Sequence, residues 1–237
     1  MSLPAELSLE LIIAAAALDS INPCVFGVLI FLLAYMTKVF KSKSRMLLAG
    51  GIYILAVYIT YFLAGLGLLT VIKSTGLGIP FYWLTAFIAI AAGLVEIKDY
   101  FWYGKGFSLQ MLPGTSERLK HYASYMERLE TEHPILSLAI AGFLGIFVVF
   151  IELPCTGAPY LAILGMISTG NIAEGIPLLL LYNLVFILPL FIIIGLVYVG
   201  AASEKLEAWR KEHRGLMRLL IGLFLLGLGS YMLWTVI

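Results

Sequence analysis

Cysteine and charge are what this chain of 237 residues has least of. Charged residues make up 12% of it and hydrophobic ones 62%, which excludes an ordinary soluble domain and leaves no room for a separate one. With 2 cysteines and no Cys-x-x-Cys, the chain carries neither a disulfide framework nor a thioredoxin-like domain of its own. His121, His133 and His213 are not at metal-ligand spacing with a cysteine or carboxylate, and no phosphate-binding loop occurs, so no cofactor is expected. The N-terminus lacks a basic region and a small-residue cleavage site, so no removable signal peptide is expected.

What is present is apolar sequence in membrane-sized pieces. Stretches 46–72, 74–95, 175–203 and 219–237 carry no Lys, Arg, Asp or Glu, and each reaches the roughly 20 residues that span a bilayer. Stretch 11–37 carries only Asp19, and 134–173 only Glu152. Six membrane helices are predicted, near 9–37, 46–72, 79–103, 134–168, 174–202 and 214–237. Fourteen of the 15 basic residues fall between helices 1 and 2, 3 and 4, or 5 and 6, and Lys73 alone falls on the other side. Those three connections are therefore expected in the cytoplasm of a plasma-membrane protein, with both termini outside. The net charge of +1 then reflects orientation signals, and no nucleic-acid partner is expected.

Each cysteine follows a proline inside a long apolar stretch: Asn22-Pro23-Cys24 and Leu153-Pro154-Cys155, 131 residues apart. The same offset carries helix 2 roughly onto helix 5 and helix 3 onto helix 6. The expected fold is thus all-α and polytopic: one transmembrane domain of two inverted three-helix repeats, 1–103 and 134–237, joined by a loop at 104–133. Thirteen residues separate Cys24 from the cytoplasmic end near Thr37, and thirteen separate Cys155 from the outer end near Ser168. At about 20 Å each, measured from opposite faces of a membrane ~40–45 Å thick, the two sulfurs share a depth.

Proline cannot donate to the carbonyl four residues back, so Pro23 frees Asp19, Pro154 frees Phe150 and Pro159 frees Cys155. Helices 1 and 4 are accordingly expected to break at Pro-Cys, with Gly157 loosening the second site. Asn22 is a good N-cap and Pro23 suits the first helical position, which puts Cys24 in a first turn where the macrodipole favours thiolate. Taken singly, a membrane proline is often a tolerated kink and a lone cysteine a packing residue. Two such pairs at matched places favour a dithiol/disulfide couple. Asp19 and Glu152 precede the cysteines by five and three residues. Intramembrane carboxyls are costly and usually functional, and either proton handling or hydrogen bonding to freed backbone accounts for them.

Two further patterns concern packing. Between Thr115 and Glu132, Leu119, Tyr122, Met126 and Leu129 share one face, which describes an amphipathic helix at the interface. Gly142-x-x-Gly145, Gly222 and Gly227-x-Gly229 read as close helix contacts.

The runs Asp19-Ser20-Ile21-Asn22-Pro23-Cys24-Val25-Phe26 and Leu153-Pro154-Cys155-Thr156-Gly157-Ala158-Pro159, in a six-helix inverted repeat, resemble the CcdA family and the transmembrane domain of the thiol:disulfide interchange protein DsbD. The resemblance covers essentially the whole chain. Gly27 departs from it, since family members commonly carry a further proline there. The resemblance implies that Cys24 and Cys155 are a redox pair that accepts electrons from cytoplasmic thioredoxin. It further implies that they pass outward to extracytoplasmic thioredoxin-like proteins, in cytochrome c maturation or related processes. No metal, flavin or haem is needed, since exchange proceeds by thiolate attack on sulfur. The alternative from another class is a small-solute or soft-metal-ion transporter whose broken helices bind at two thiolates with Asp19 and Glu152.

Overall fold

The computed structural model describes residues 5–25, 30, 42–102, 134–170, 172–199 and 203–235, and every regular element among them is helical. In chain order these are α1 (Ala5–Ser20), α2 (Lys43–Thr75), α3 (Gly78–Phe101), α4 (Pro134–Thr169), α5 (Ile172–Val199) and α6 (Ser203–Trp234). The second half of the first predicted segment, Gly27, the whole 104–133 loop and its expected amphipathic helix lie outside the described residues. So do the side chains of Leu153, Pro154 and Cys155.

Apolar composition all round each helix, rather than on one stripe, drives this architecture. Lys43–Thr75, Gly78–Phe101, Gly175–Val199 and Lys205–Trp234 are long and apolar enough to cross a membrane. Their outer faces keep large apolar side chains in the open: Leu63 is 58% exposed and Ile192 61%. In water such belts would be a liability, whereas in lipid they are the solvent-facing surface. The protein is a helical membrane protein.

Three pairings build the core. α3 lies along α6, α2 along α4, and α1 against α5, while α4 also packs on α3 and α2 on α5. Glycine permits the closest approaches: a Cβ at Gly93 would meet the Gly222 carbonyl at 2.8 Å, and one at Gly145 would meet the Tyr53 carbonyl at 2.6 Å. The sequence reading of Gly145, Gly222 and Gly229 as contact glycines holds. Gly227 does not belong with them, since nothing lies within 4 Å of a Cβ there and it faces outward. α2 ends on Gly76, whose left-handed backbone (φ 70°) supplies the C-cap. Beside that turn the Lys73 ammonium donates to the Gly170 carbonyl and Ser168 Oγ donates to the Gly78 carbonyl, joining the α2–α3 and α4–α5 connections.

Two expectations are corrected. Helix 4 does not break at Pro154, Gly157 or Pro159; α4 runs without interruption for 36 residues, about 54 Å. The physical reason is the residue before the proline. Leu153 has no side-chain acceptor for the N–H groups a break would expose, and unsatisfied backbone in apolar surroundings costs several kcal/mol per group. Losing the two proline bonds is the smaller penalty, and Thr156 Oγ1 donates to the Glu152 carbonyl within the same turn (3.1 Å). Helix 6 starts at Ser203 rather than near 214, because Glu207 pairs with Arg210 (2.6 Å) and Lys211 (3.4 Å) along one face and keeps the charged run helical.

Candidate functional site

Helix 1 does break where the sequence expects. α1 stops at Ser20, Ile21 and Asn22 are non-helical, and helical backbone resumes over 23–25. The carbonyl that Pro23 leaves free, that of Asp19, accepts the Asn22 N–H at 3.1 Å, and the Leu18 carbonyl accepts the Ile21 N–H at 3.3 Å. Asn22 Oδ1 accepts the Cys24 N–H at 3.1 Å. Asn22 is therefore the N-cap, Pro23 the first helical residue and Cys24 the second. From α6, the Arg210 guanidinium donates to the Pro23 carbonyl (3.0 Å) while its other nitrogens hold Glu207 (2.9 and 2.6 Å).

The cap is open to test. Asn22→Ala should destabilise the fold by about 1 kcal/mol, read as a lower midpoint in thermal unfolding in detergent, with Asn22→Asp close to wild type. Equal midpoints for the alanine variant and wild type would remove the cap from the account.

Around the break lies a buried polar cluster. Asp19, Asn22 and Glu152 are 1%, 2% and 2% exposed, and Cys24 is buried with them. Glu152 comes from the middle of α4, 18 residues after Pro134 and 17 before Thr169. It lies within charge–charge range of both Cys24 and Asp19. Tyr182 of α5 donates to Asp19 Oδ2 at 2.8 Å. Asp19 Oδ1 and Glu152 Oε1 have no hydrogen-bond partner among the described residues. Tyr61 of α2 shares a hydrogen bond with Thr156, and Tyr160 of α4 donates to the Tyr61 carbonyl at 2.7 Å. The rings lock together: Tyr61 meets Tyr160 edge-on at 5.4 Å and Phe186 at 5.1 Å, and Tyr160 meets Tyr182 at 5.4 Å.

The structure thus brings together Asp19, Asn22, Pro23, Cys24 and Glu152, from two helices far apart in sequence. Gly157 and Pro159 are buried in the continuous α4 rather than at a hinge. Pro154 and Cys155 have helical backbone, and the Cys24–Cys155 pairing falls outside what the structure describes. Sequence reasoning missed Tyr182, which donates to Asp19, Tyr61 and Tyr160, which hydrogen-bond to Thr156 and to the Tyr61 carbonyl beside it, and Arg210, which it assigned to orientation alone. The available signal was Tyr182-Asn183, a polar pair inside the uncharged stretch 175–203.

Fold and site together define a class: a helical membrane protein with a thiol and two carboxyls enclosed in its core. Neither protein-family models, nor curated proteins, nor solved structures match this chain.

Proposed function

We propose that the protein is a transmembrane thiol–disulfide electron carrier. Reduced cytoplasmic thioredoxin attacks the Cys24–Cys155 disulfide, a mixed disulfide forms and resolves, and the reduced pair then passes its electrons to an extracytoplasmic thioredoxin-like protein serving cytochrome c maturation. The observation that carries this reading is Cys24 itself: a buried thiol on a turn capped by Asn22 at a helix break, near the mid-helix carboxyl of Glu152. A packing cysteine needs neither the break nor the carboxyl.

The pairing of helices supports the inverted repeat. The first helix of each half lies on the second helix of the other, α1 on α5 and α4 on α2, and the two third helices lie on each other. A two-fold axis in the membrane plane generates such an exchange. The distribution of basic residues supports a plasma-membrane orientation with both termini outside.

The test is a thiol count. The oxidised protein, incubated with reduced thioredoxin, quenched and treated with a maleimide mass tag, should convert from no tags to two, the full complement of cysteines. Wild-type protein that remains untagged, or that is tagged without thioredoxin, would favour a transporter that holds its substrate at Cys24, Asp19 and Glu152.

A further inference from the structure

Resting on the carrier reading, we propose that Glu152 is the general acid and base of the exchange, serving both sulfurs in turn. Because α4 is unbroken, positions 152 and 155 are related by i,i+3 and share a helix face. From the opposite side, the capped turn that carries Cys24 brings that residue within charge–charge range of the same carboxyl. Glu152 is buried, and its Oε1 is without a hydrogen-bond partner among the described residues, so that oxygen is available for a proton transfer. Asp19 is differently placed: Tyr182 already donates to its Oδ2.

The exchange creates a need for such a group. A thioredoxin thiolate attacks one sulfur of the disulfide. The bond between the two cysteines breaks, the mixed disulfide forms, and the other sulfur departs with the electron pair as a thiolate in apolar surroundings. Protonated Glu152 gives that thiolate its proton and is reprotonated from water. The second thioredoxin thiolate then attacks the mixed disulfide, thioredoxin leaves oxidised by two electrons, and Glu152 protonates the second sulfur. Two protons are released by the donor dithiol and two are taken up inside the bundle. A buried thiolate without a proton source would instead act as a nucleophile, attack the mixed disulfide again, expel thioredoxin's sulfur and return the electrons.

Other ionisable groups face this carboxyl and enter any pH profile: Asp19 from α1, Cys24 from the break, and Tyr53 and Tyr61 from α2. Asp19 is in turn faced by Tyr61, Tyr160 and Tyr182. The experiment is therefore a single-turnover rate of tag conversion against pH, with reduced thioredoxin and the full chain in detergent. Wild type should give a bell, rising as the donor thiol ionises and falling as Glu152 loses its proton. Glu152→Gln should be at least about 10²-fold slower and lack the falling limb, while still reaching two tags. Asp19→Asn should keep the limb. If Glu152→Gln does not fold, Glu152→Asp, which retains a displaced carboxyl, should be slower with a shifted limb. Glu152→Gln within threefold of wild type at all pH values, Glu152→Asp indistinguishable from wild type, or a limb that vanishes in Asp19→Asn alone would overturn the assignment. Wild type without tag conversion would overturn the carrier reading itself, and with it this role.

Discussion

Cys24→Ser and Cys155→Ser are each expected to abolish transfer of electrons from thioredoxin to an outer acceptor. Exchange needs one sulfur to attack or be attacked and a second to leave, and this chain has no third cysteine to substitute. The single variants should also differ from each other. Cys24 lies directly after the break, on the turn that Asn22 caps, and residues at the ends of elements are where a chain opens most readily to admit a partner. Cys155 sits in the interior of a continuous helix. A thioredoxin that lacks its resolving cysteine and carries the other as a mixed disulfide with thionitrobenzoate should accordingly, with release of thionitrobenzoate, yield a stable adduct through Cys24 in Cys155→Ser, and little through Cys155 in Cys24→Ser. Near wild-type turnover in either single variant would end the two-thiol mechanism. An adduct formed only through Cys155 would reverse the order of attack.

The largest expected loss of stability lies away from the thiol site. Arg218 of α6 is 3% exposed, and its Nη1 donates to Asp99 Oδ2 at 2.6 Å and to Glu96 Oε2 at 3.3 Å on α3. Lys98 adds a contact to Asp99 Oδ1 at 2.6 Å. Removing the guanidinium leaves two carboxyls facing each other in the core, and breaking a buried pair by deleting one partner costs about 3–5 kcal/mol. For a chain of this size, Arg218→Ala should lower Tm in detergent by roughly 10 °C. Adding Glu96→Gln and Asp99→Asn to that variant should restore much of the loss, since the uncompensated charges go with them. A midpoint unchanged within error in Arg218→Ala would mean that α3 and α6 are held by apolar and glycine contacts alone.

These two sites show where sequence is legible and where it is not. The break at Asn22-Pro23 is local chemistry, a capping side chain followed by a residue without an N–H, and it can be read from three letters. The same reasoning misplaced a break at Leu153-Pro154 because it weighed the proline and not the missing cap. Helix cores were legible from uncharged length alone, and the ends of α2, α3, α4 and α5 agree to within about three residues, whereas ion pairs extend α6 at its start. Arg218 was counted as a loop charge marking orientation, since nothing local reveals that Glu96 and Asp99, more than a hundred residues earlier, lie against it. The tyrosines were silent for the same reason: Tyr182 meets Asp19 across 163 residues and Tyr61 meets Thr156 across 95. A tyrosine in an apolar stretch suits a lipid interface as well as a buried hydrogen bond.

The span between Asp19 and its donor also has a meaning in time. The chain is made from the N-terminus at about 5–20 residues per second, so the 163 residues that separate Asp19 from Tyr182 correspond to a wait on the order of ten to thirty seconds. Throughout that interval α1 has been synthesised but the hydroxyl that satisfies its carboxyl has not, and α5, its principal neighbour, does not yet exist. α1 is thus seated long after it is made, and a ribosome that stalls before Tyr182 leaves the Asp19 carboxyl without its donor for quality control to find.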